Sequence, residues 1–421
     1  MDAQKKRIVI CSDGTWNTPE NPTNVVKVVR SIKPISAEGI HQVVFYDQGV
    51  GTYNAVDKFI GGAFGKGVEQ NVLDAYRFIA HNFKHGDEIY CFGFSRGAYT
   101  ARALGGMLQT IGLIDKGGLK HLPEAYKYYR SPPEERTSLK YNDNFNPDIK
   151  MMAVWDTVGA LGAPTPILGK LTRPLVGYYD THLSPQIKNA YQALAIDEKR
   201  APFKPALWTG SINPDQSVEQ VWFSGVHSDV GGGYVESGLS DIALKWMIQK
   251  SIHCGLEFDE GYLNNEALIR PNATGVLHDS YHFGYRLMEK MGMDSGVRQL
   301  RGEPDNPPIN VSIHASVLER VEQVPSYQPE NLVDSLPVTR TNENRQFIRI
   351  SEDQLEGEII SVNDTVTCQI LDYSPLGGAR IQCKESIETV GEITISSPKF
   401  AKKTATLAWK KDDTYGLKFA A

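Results

Sequence analysis

DEIYCFGFSRGAYTAR, residues 87–102, combines an apolar run with a serine that lies between two glycines. Apolar and aromatic residues follow one another from Ile89 up to the serine, as in a strand that is buried in a parallel sheet. From Ala98 onward, alanines, leucines and a methionine are typical of a helix. Gly93 and Gly97 flank the junction and allow the backbone to turn sharply. The stretch therefore predicts a strand, a tight turn and a helix.

Ser95 lies at the centre of this turn, in the pattern Gly-x-Ser-x-Gly that residues 93–97 form. In a nucleophile elbow, such glycines let the backbone and the next helix crowd a serine in a strained turn, and the serine hydroxyl projects above the sheet. The N-terminus of the helix can also stabilise negative charge. The pattern indicates a catalytic serine, with an ordinary strand-to-helix turn as the alternative interpretation.

Strands and helices alternate over the first three quarters of the chain. Apolar runs such as residues 7–11, 149–155 and 218–223 predict buried strands, and the spacing of apolar residues predicts helices over residues 65–82 and 184–196. Such alternation implies an α/β fold, with right-handed βαβ units in a mostly parallel sheet. Functional residues are then expected at the carboxyl ends of the strands.

Two further predicted strands end in residues that would complete a catalytic triad with Ser95. Asp156 follows one strand, where a carboxylate can accept the N–H of a histidine and fix the tautomer of that histidine. The alternative interpretation is an aspartate that caps a turn, which is common at such positions. His227 follows another strand in a glycine-rich bend, where a general base is needed. The order serine, acid, histidine is that of α/β-hydrolases. The sequence leaves two alternatives open: Asp229 as the acid in place of Asp156, and His314 as the base in place of His227.

The polar turn after the first predicted strand is a candidate for part of an oxyanion hole. In hydrolases with a nucleophile elbow, one donor is the N–H after the serine, and another comes from a neighbouring strand-to-helix loop. Here the donors would be Arg96 and a residue among Asp13, Gly14 and Thr15. A helix-capping loop is the alternative interpretation of the turn, and the two are compatible.

The composition is that of an ordinary globular protein. The 421 residues are 41% hydrophobic, enough for two domains or more, and the formal net charge of −6 gives no general attraction to nucleic acid or to an anionic membrane. No nucleic acid polymer is therefore expected as a partner. The five cysteines are scattered without C-x-x-C spacing, which argues against a disulfide framework and a cysteine-built zinc site.

The N-terminus leads directly into a predicted strand, without the apolar segment of a signal peptide, and the sequence contains no apolar span long enough to cross a bilayer. A cytoplasmic location is therefore expected. Export by a route that needs no signal peptide stays open.

Five sequence strings resemble the α/β-hydrolase family that includes the type VI secretion phospholipase effectors. They are SDGTWN at 12–17, GFSRGA at 93–98, VWDTVG at 154–159, GVHSDVGGGY at 225–234 and HASVLER at 314–320. The resemblance implies an α/β-hydrolase fold with helices on both faces of the sheet, and Ser95, Asp156 and His227 as nucleophile, acid and base. It also implies a phospholipid or other acyl-ester substrate, with a membrane surface, a protein partner or the secretion machinery as further contacts.

The sequence changes character after a proline-containing linker at residues 325–337. Beyond it, six short β-rich runs separated by turn residues predict a small antiparallel barrel. We therefore expect a catalytic domain at residues 1–324, the linker, and a barrel domain at residues 338–421.

Two motifs lie in this last part of the chain. The first contains Arg345 and Arg349 in the pattern R-x-x-x-R, and the second contains Asp372, Ser374 and Gly377 in the pattern D-x-S-x-x-G. The two motifs resemble those of the PilZ domain, R-x-x-x-R and D/N-x-S-x-x-G, which bind cyclic di-GMP. Guanidinium groups suit phosphate oxygens and guanine edges, and glycine permits close approach of the ligand. The resemblance implies cyclic di-GMP as a regulatory ligand.

One position departs from the fuller PilZ pattern, which often begins with paired arginines. Asn344 occupies the first of these positions, which puts the affinity and the number of bound ligand molecules in doubt. A barrel that only mediates contacts, with solvated arginines at its edge, is the alternative interpretation.

The patterns together predict a serine esterase of the phospholipase or lipase type that needs no cofactor for catalysis and responds to cyclic di-GMP. The alternative is a catalytically silent hydrolase scaffold that acts as a cyclic di-GMP-responsive binding protein. Hydrolysis of amides or peptides uses the same triad and is a third interpretation.

Overall fold

Most of the chain is described in the computed structural model. The described residues are 5–14, 22–49, 63–136, 145–158, 181–200, 203–280, 296–332, 336–341, 355–360, 365–374, 378–383, 393–397, 400–411 and 413–419. Four residues that the sequence marks as site residues lie outside these ranges: Thr15, Arg345, Arg349 and Gly377.

Eight strands form one sheet in which every hydrogen-bonded pair is parallel. They are β1 (Lys6–Ser12), β2 (His41–Asp47), β3 (Glu88–Phe94), β4 (Ile149–Trp155), β5 (Asn189–Ala195), β6 (Ser217–Phe223), β7 (Val311–His314) and β8 (Val338–Thr339). Their order across the sheet is β2-β1-β3-β4-β5-β6-β7-β8. The carboxyl ends of β3, β4, β5 and β6 are therefore neighbours at one edge of the sheet.

The helices connect these strands. They are α1 (Asn24–Ser31), α2 (Ala63–Asn82), α3 (Arg96–Ile111), α4 (Leu122–Arg130), α5 (His227–Gly231), α6 (Gly238–His253), α7 (Glu260–Leu263) and α8 (Ala315–Gln323). Two short 3-10 helices cover Gly118–His121 and Pro133–Glu135. The predicted helix over residues 65–82 and the helix that follows Ser95 are both present, as α2 and α3.

Alternate residues of the strands pack against two different sets of helices. In β1, Ile8 and Ile10 belong to an apolar cluster with residues of α2 and α3, whereas Val9 and Cys11 belong to a cluster with residues of α1 and α6. All four side chains are fully buried. Because successive side chains of a strand point to opposite faces, helices cover both faces of the sheet, as expected.

The helix predicted over residues 184–196 is wrong, because this segment contains β5. The residues of β5, NAYQALA, are buried along almost the whole strand between β4 and β6. A strand that is buried on both faces lacks the alternation of apolar and polar residues that would identify it. Alanine, glutamine and leucine also favour helices in isolation, and the pairing within the sheet overrides that preference.

The last strand of the sheet lies beyond the predicted linker. Val338 and Thr339 form β8 and pair with Ile313 and His314 of β7. The predicted boundary between residues 337 and 338 stays a prediction, but the parallel sheet includes the first two residues after it.

Six antiparallel strands form a closed barrel in the C-terminal part. They are β9 (Leu355–Ile360), β10 (Thr365–Ser374), β11 (Gly378–Gln382), β12 (Ile393–Ser397), β13 (Phe400–Lys411) and β14 (Thr414–Phe419). The six β-rich runs of the sequence correspond to these six strands, so the predicted barrel is confirmed. Apolar residues of all six strands fill its interior.

The described helices are too short or too polar to cross a bilayer.

All five cysteines are buried free thiols.

Candidate active site

Ser95 joins β3 to α3 in a strained conformation. Its φ of 58° and ψ of −118° cost a non-glycine residue roughly 1–3 kcal/mol. A Cβ atom at Gly93 would lie 2.5 Å from the Gly97 carbonyl oxygen, and one at Gly97 would lie 2.0 Å from the Ser12 carbonyl oxygen. Both flanking glycines are therefore required by close backbone contacts, as the elbow pattern predicts.

Asp156 lies beside this turn because β3 and β4 are adjacent parallel strands. The Ser95 N–H donates to the carbonyl oxygen of Trp155, the last residue of β4, at 3.1 Å. Asp156 comes next, with a positive φ of 41°, and its N–H donates to the Ala193 carbonyl oxygen at 2.7 Å. The side chain of Asp156 is completely buried. The serine and the carboxylate are thus held by one continuous set of backbone hydrogen bonds.

His227 completes a hydrogen-bonded pair with Asp156. It is the first residue of α5, and its Nδ1 lies 2.6 Å from Oδ2 of Asp156. The imidazole ring packs between Phe94 and Phe203, with ring centroids 4.6 and 5.0 Å away. The His227 N–H donates to a carboxylate oxygen of Glu198 at 3.2 Å. When Nδ1–H donates to Asp156, Nε2 is the nitrogen that can accept a proton.

Arg298 contacts both oxygens of the same carboxylate. Its Nη1 and Nη2 lie 2.6 and 2.9 Å from Oδ1 and Oδ2 of Asp156, and the Ala195 N–H donates to Oδ1 at 3.1 Å. Burial raises the pKa of the Asp156 carboxyl, but the charge of Arg298 and the hydrogen bonds from His227 and Arg298 outweigh burial. The pKa of Asp156 is therefore held well below its usual range, and the carboxylate stays ionised.

Sequence reasoning missed Arg298. It lies 142 residues after Asp156 in the chain, in the sequence SGVRQL, which matches no catalytic pattern. Only the fold brings it to the end of β4, so no local signal was available to find it.

The turn after β1 also lies at the elbow. A Cβ atom at Gly14 would stand 3.3 Å from the Cβ of Ser95. The buried carboxylate of Asp13 accepts hydrogen bonds from the Gly14 N–H at 2.8 Å, from the Thr23 hydroxyl at 2.6 Å and from the Tyr46 hydroxyl at 3.2 Å. The turn is thus fixed by Asp13, and the Gly14 N–H has Asp13 as an acceptor.

Arg96 is the first residue of α3, directly after Ser95. Its backbone N–H therefore belongs to the first turn of the helix, where backbone donors have no carbonyl partner within the helix. Burial lowers the pKa of its guanidinium group to about 10. The first turn of α3 and the Gly14 turn therefore both lie next to Ser95.

Asp229, the alternative acid, is bonded to a different histidine. Its Oδ1 lies 2.6 Å from Nδ1 of His278, and its Oδ2 accepts the N–H groups of Val226 and His278 at 3.1 Å. Burial raises the pKa of this carboxyl, and the hydrogen bonds from His278 and Val226 oppose that effect. These contacts favour a role in shaping the loop before α5.

His314, the rival base, forms hydrogen bonds through both ring nitrogens. Nδ1 lies 2.8 Å from the Ser316 hydroxyl, Nε2 lies 2.7 Å from the Thr341 hydroxyl, and the ring stacks on Phe223. It also caps α8 by accepting the Ser316 N–H. Burial, with a smaller effect of the Arg340 charge, lowers the pKa of His314 to about 3. The geometry therefore favours His227 as the base.

The predicted nucleotide motifs are described only in part. Asp372 and Ser374 lie in β10, where they pair with Arg380 and Gly378 of β11. The structure does not describe the side chains of Asp372 and Ser374. Arg345 and Arg349 of the first motif lie outside the described residues. Across the described ranges, histidine, cysteine, aspartate and glutamate side chains form no group of three that could hold a metal ion.

A family model matches the part of the chain that contains Ser95, Asp156 and His227. The catalytic-domain model of the type VI secretion system (T6SS) phospholipase effectors, Tle1-like, matches residues 6–250, which is more than half of the chain. The chain belongs to the Tle1-like phospholipase effector family. The match includes Ser95, Asp156 and His227, whereas Arg298 and the barrel lie beyond it. The resemblance to the effector family is thus confirmed, and the resemblance of the barrel to PilZ stays a prediction.

Individual relatives of this Tle1-like chain are distant. The chain is 26% identical over 234 residues to the uncharacterized protein YEL023C of Saccharomyces cerevisiae, an alignment that covers 48% of the chain and 33% of the yeast protein. The chain thus spans about a third of the length of this curated relative.

Two solved structures are similar to the chain. An uncharacterized protein from Pseudomonas aeruginosa is 19% identical with a TM-score of 0.38, over 64% of this chain and 49% of that one. The Tle1 effector bound to the VgrG spike of the type 6 secretion system is 15% identical with a TM-score of 0.42, over 69% of this chain and 81% of that one.

Proposed function

We propose that this Tle1-like protein is a serine hydrolase of the α/β-hydrolase type that cleaves carboxylic esters of phospholipids or related lipids. The observation that carries the proposal is the buried pair of Asp156 and His227, 2.6 Å apart, at the edge of the sheet where Ser95 occupies a strained turn. Family membership supports an ester-hydrolysing enzyme of the phospholipase kind.

The first step is attack by the Ser95 hydroxyl oxygen on the ester carbonyl carbon. His227 accepts the hydroxyl proton at Nε2, and the ionised Asp156 stabilises the imidazolium that forms. The carbonyl π electrons move to the oxygen, which becomes an oxyanion. The tetrahedral intermediate then collapses, the bond to the leaving alcohol breaks, and His227 returns its proton to that alcohol.

The second step regenerates the serine. A water molecule attacks the acyl group on Ser95 while His227 accepts one of its protons. The Ser95 oxygen then leaves and takes the proton from His227, which releases a free fatty acid. Asp156 keeps its negative charge in both steps, because Arg298 and the backbone of Ala195 hold it ionised.

The oxyanion would be stabilised by backbone N–H groups on two sides of Ser95. The N–H of Arg96 belongs to the first turn of α3, whose dipole favours negative charge. Gly14 would supply the second donor, because it lies against the Ser95 side chain. Its N–H would have to turn from the Asp13 carboxylate toward the oxyanion as the charge develops.

The substrate class and the partner rest on the family. A Tle1-like catalytic domain supports a phospholipid as the substrate and delivery through a type VI secretion machine.

We further propose that the barrel binds cyclic di-GMP through Arg345, Arg349, Asp372, Ser374 and Gly377 and thereby regulates hydrolysis. The R-x-x-x-R and D-x-S-x-x-G patterns support this proposal, and the closed six-stranded barrel is compatible with a PilZ domain. A regulatory effect requires that the ligand bind the active and inactive states with different affinity.

The test of the hydrolase is turnover of phospholipids and short-chain acyl esters by wild type and Ser95→Ala. Loss of the nucleophile is expected to lower kcat by at least about 10³-fold. Ser131→Ala, at the end of α4, is the matched control and keeps wild-type turnover. Equal turnover by wild type and Ser95→Ala would show that the nucleophile is wrong. No turnover by wild type on the whole panel would favour the silent scaffold.

A further inference from the structure

Arg298 forms more contacts at the active site than a single ion pair requires. Besides both oxygens of Asp156, its Nη1 donates to the Ala195 carbonyl oxygen at 2.6 Å, and its Nη2 donates to the Phe203 carbonyl oxygen at 2.7 Å. The side chain is buried, with 4% of its surface exposed. The planar guanidinium group thus joins the end of β4, the end of β5 and the segment that follows β5.

The contact with Asp156 addresses a physical problem of the triad acid. A completely buried carboxylate is destabilised relative to the neutral carboxyl group, yet it must be charged to stabilise the imidazolium of His227. Two parallel N–H donors from one arginine bind both carboxylate oxygens in a fixed plane. Arg298 therefore supplies compensating charge and limits rotation of the Asp156 side chain.

The contact with Phe203 affects the histidine directly. The Phe203 ring packs edge-on against the His227 imidazole, and the Arg200 guanidinium lies 3.6 Å from the centre of the Phe203 ring. Arg298 holds the backbone of Phe203 at the same time as it holds Asp156. One side chain thus fixes the acid and an aromatic wall of the imidazole.

We propose that Arg298 is a positioning residue of the active site, which holds Asp156 and Phe203 so that His227 keeps its catalytic orientation. This inference rests on the proposed hydrolase function. It does not follow from the family model, whose match ends at residue 250.

Arg298→Ala is expected to lower kcat about 100-fold, the effect of misplacing a catalytic group by about 1 Å, with little change in KM. Without Arg298, burial raises the pKa of the Asp156 carboxyl. On acidification, Asp156 is therefore protonated at a higher pH than in wild type. The acid limb of the pH–rate profile is therefore expected to move to higher pH. Among the described residues, the ionisable groups that contact Asp156 are Arg298 and His227, and Glu198 and Arg200 lie next to them.

Arg298→Lys separates the charge from the geometry. Lysine keeps a positive charge but cannot bind both carboxylate oxygens and two carbonyl oxygens in one plane. The acid limb is therefore expected to stay near that of wild type, while kcat falls about 10-fold, between the values of wild type and Arg298→Ala. Free guanidinium ion at millimolar concentration is expected to restore part of the kcat of Arg298→Ala in a saturable manner.

Arg320→Ala is the matched control. Arg320 is also a buried arginine, with 5% of its surface exposed, and its Nη1 donates to the carbonyl oxygens of Ala273 and Gly275. Its removal is expected to lower the thermal unfolding temperature about as much as Arg298→Ala does. The pH–rate profile is expected to stay that of wild type, without a response to guanidinium.

The inference is overturned if folded Arg298→Ala has the kcat and the acid limb of wild type, or if Arg320→Ala shows the same change in pH profile. If Arg298→Ala does not fold, Arg298→Lys decides: a kcat equal to that of wild type contradicts the inference, and a lower kcat with an unchanged acid limb supports it. A wild-type protein that hydrolyses no ester refutes the proposed function instead, so the two failures are distinguishable.

Discussion

Gly97→Ala tests whether the elbow depends on contact between two backbone segments. The new Cβ atom would lie 2.0 Å from the carbonyl oxygen and 2.4 Å from the carbonyl carbon of Ser12, and 2.8 Å from the carbonyl carbon of Asp13. Nonbonded heavy atoms are most stable at about 3.5–4.0 Å, so α3 and the end of β1 must separate by about 1 Å or more. These are backbone atoms, which cannot rotate away.

The separation has two expected costs. Overpacking of this kind destabilises a core by about 1–3 kcal/mol, and a displacement of about 1 Å at a catalytic site lowers the rate about 100-fold. The displaced segment carries Gly14, the proposed second donor to the oxyanion. The loss of rate is therefore expected to appear in kcat. The assays are urea unfolding followed by circular dichroism and hydrolysis of a short-chain acyl ester.

Gly105→Ala is the matched control in the same helix. Its Cβ would meet only the ends of side chains, with Met152 Cε at 3.2 Å and Ile149 Cδ1 at 3.4 Å, and those side chains can adjust. Alanine inside a helix is favoured over glycine by about 1 kcal/mol, so this variant is expected to be as stable as wild type or more stable, and fully active. Equal stability and activity of Gly97→Ala and Gly105→Ala would show that the contact between α3 and the end of β1 is not needed at the elbow.

Three other predictions concern the acid, the rival base and the barrel. Asp156→Asn is expected to lower kcat about 10⁴-fold. Asp229→Asn is expected to keep kcat within about 10-fold of wild type. Comparable losses of kcat in the two variants would contradict the assignment of Asp156 as the acid. His314→Gln is expected to keep wild-type turnover. Because burial lowers the pKa of His314 to about 3, the wild-type protein loses stability as the pH falls from about 6.5 toward 3. As the pH falls across this range, the urea midpoint of His314→Gln is expected to fall less steeply than that of wild type. Equal slopes of midpoint against pH would contradict a contribution of His314 to the pH dependence of stability. Arg349→Ala is expected to abolish binding of cyclic di-GMP in isothermal titration without changing hydrolysis in its absence, and unchanged binding would exclude the R-x-x-x-R motif as a ligand site.

The sequence was sufficient to predict the parts of the site that local patterns determine. The run before Ser95 is apolar, the residues after it favour a helix, and the glycines at 93 and 97 stand where backbone segments touch. Asp156 and His227 follow recognisable strands, so parallel pairing alone brings them to one edge of the sheet. The barrel was predictable for the same reason, because its β-rich runs are separated by turn residues.

Long-range contacts and short elements could not be predicted in this way. Arg298 contacts Asp156 only after the chain between them has folded, and nothing in its neighbours indicates a buried arginine. β8 contains two residues, too few for any periodicity, and exists because it pairs with β7. The sequence of β5 does not identify it as a strand, because burial on both faces removes the alternation by which a strand is recognised.

Covalent labelling with a fluorophosphonate probe tests whether Ser95 is an activated nucleophile. The probe reacts with a serine only when a general base activates it, so labelling reports the assembled Ser95, Asp156 and His227 rather than the presence of a serine. We expect one adduct on wild type, located at Ser95 by mass spectrometry, strongly reduced labelling in His227→Ala, and none in Ser95→Ala. An unlabelled wild-type protein, or an adduct on another serine, would contradict this expectation.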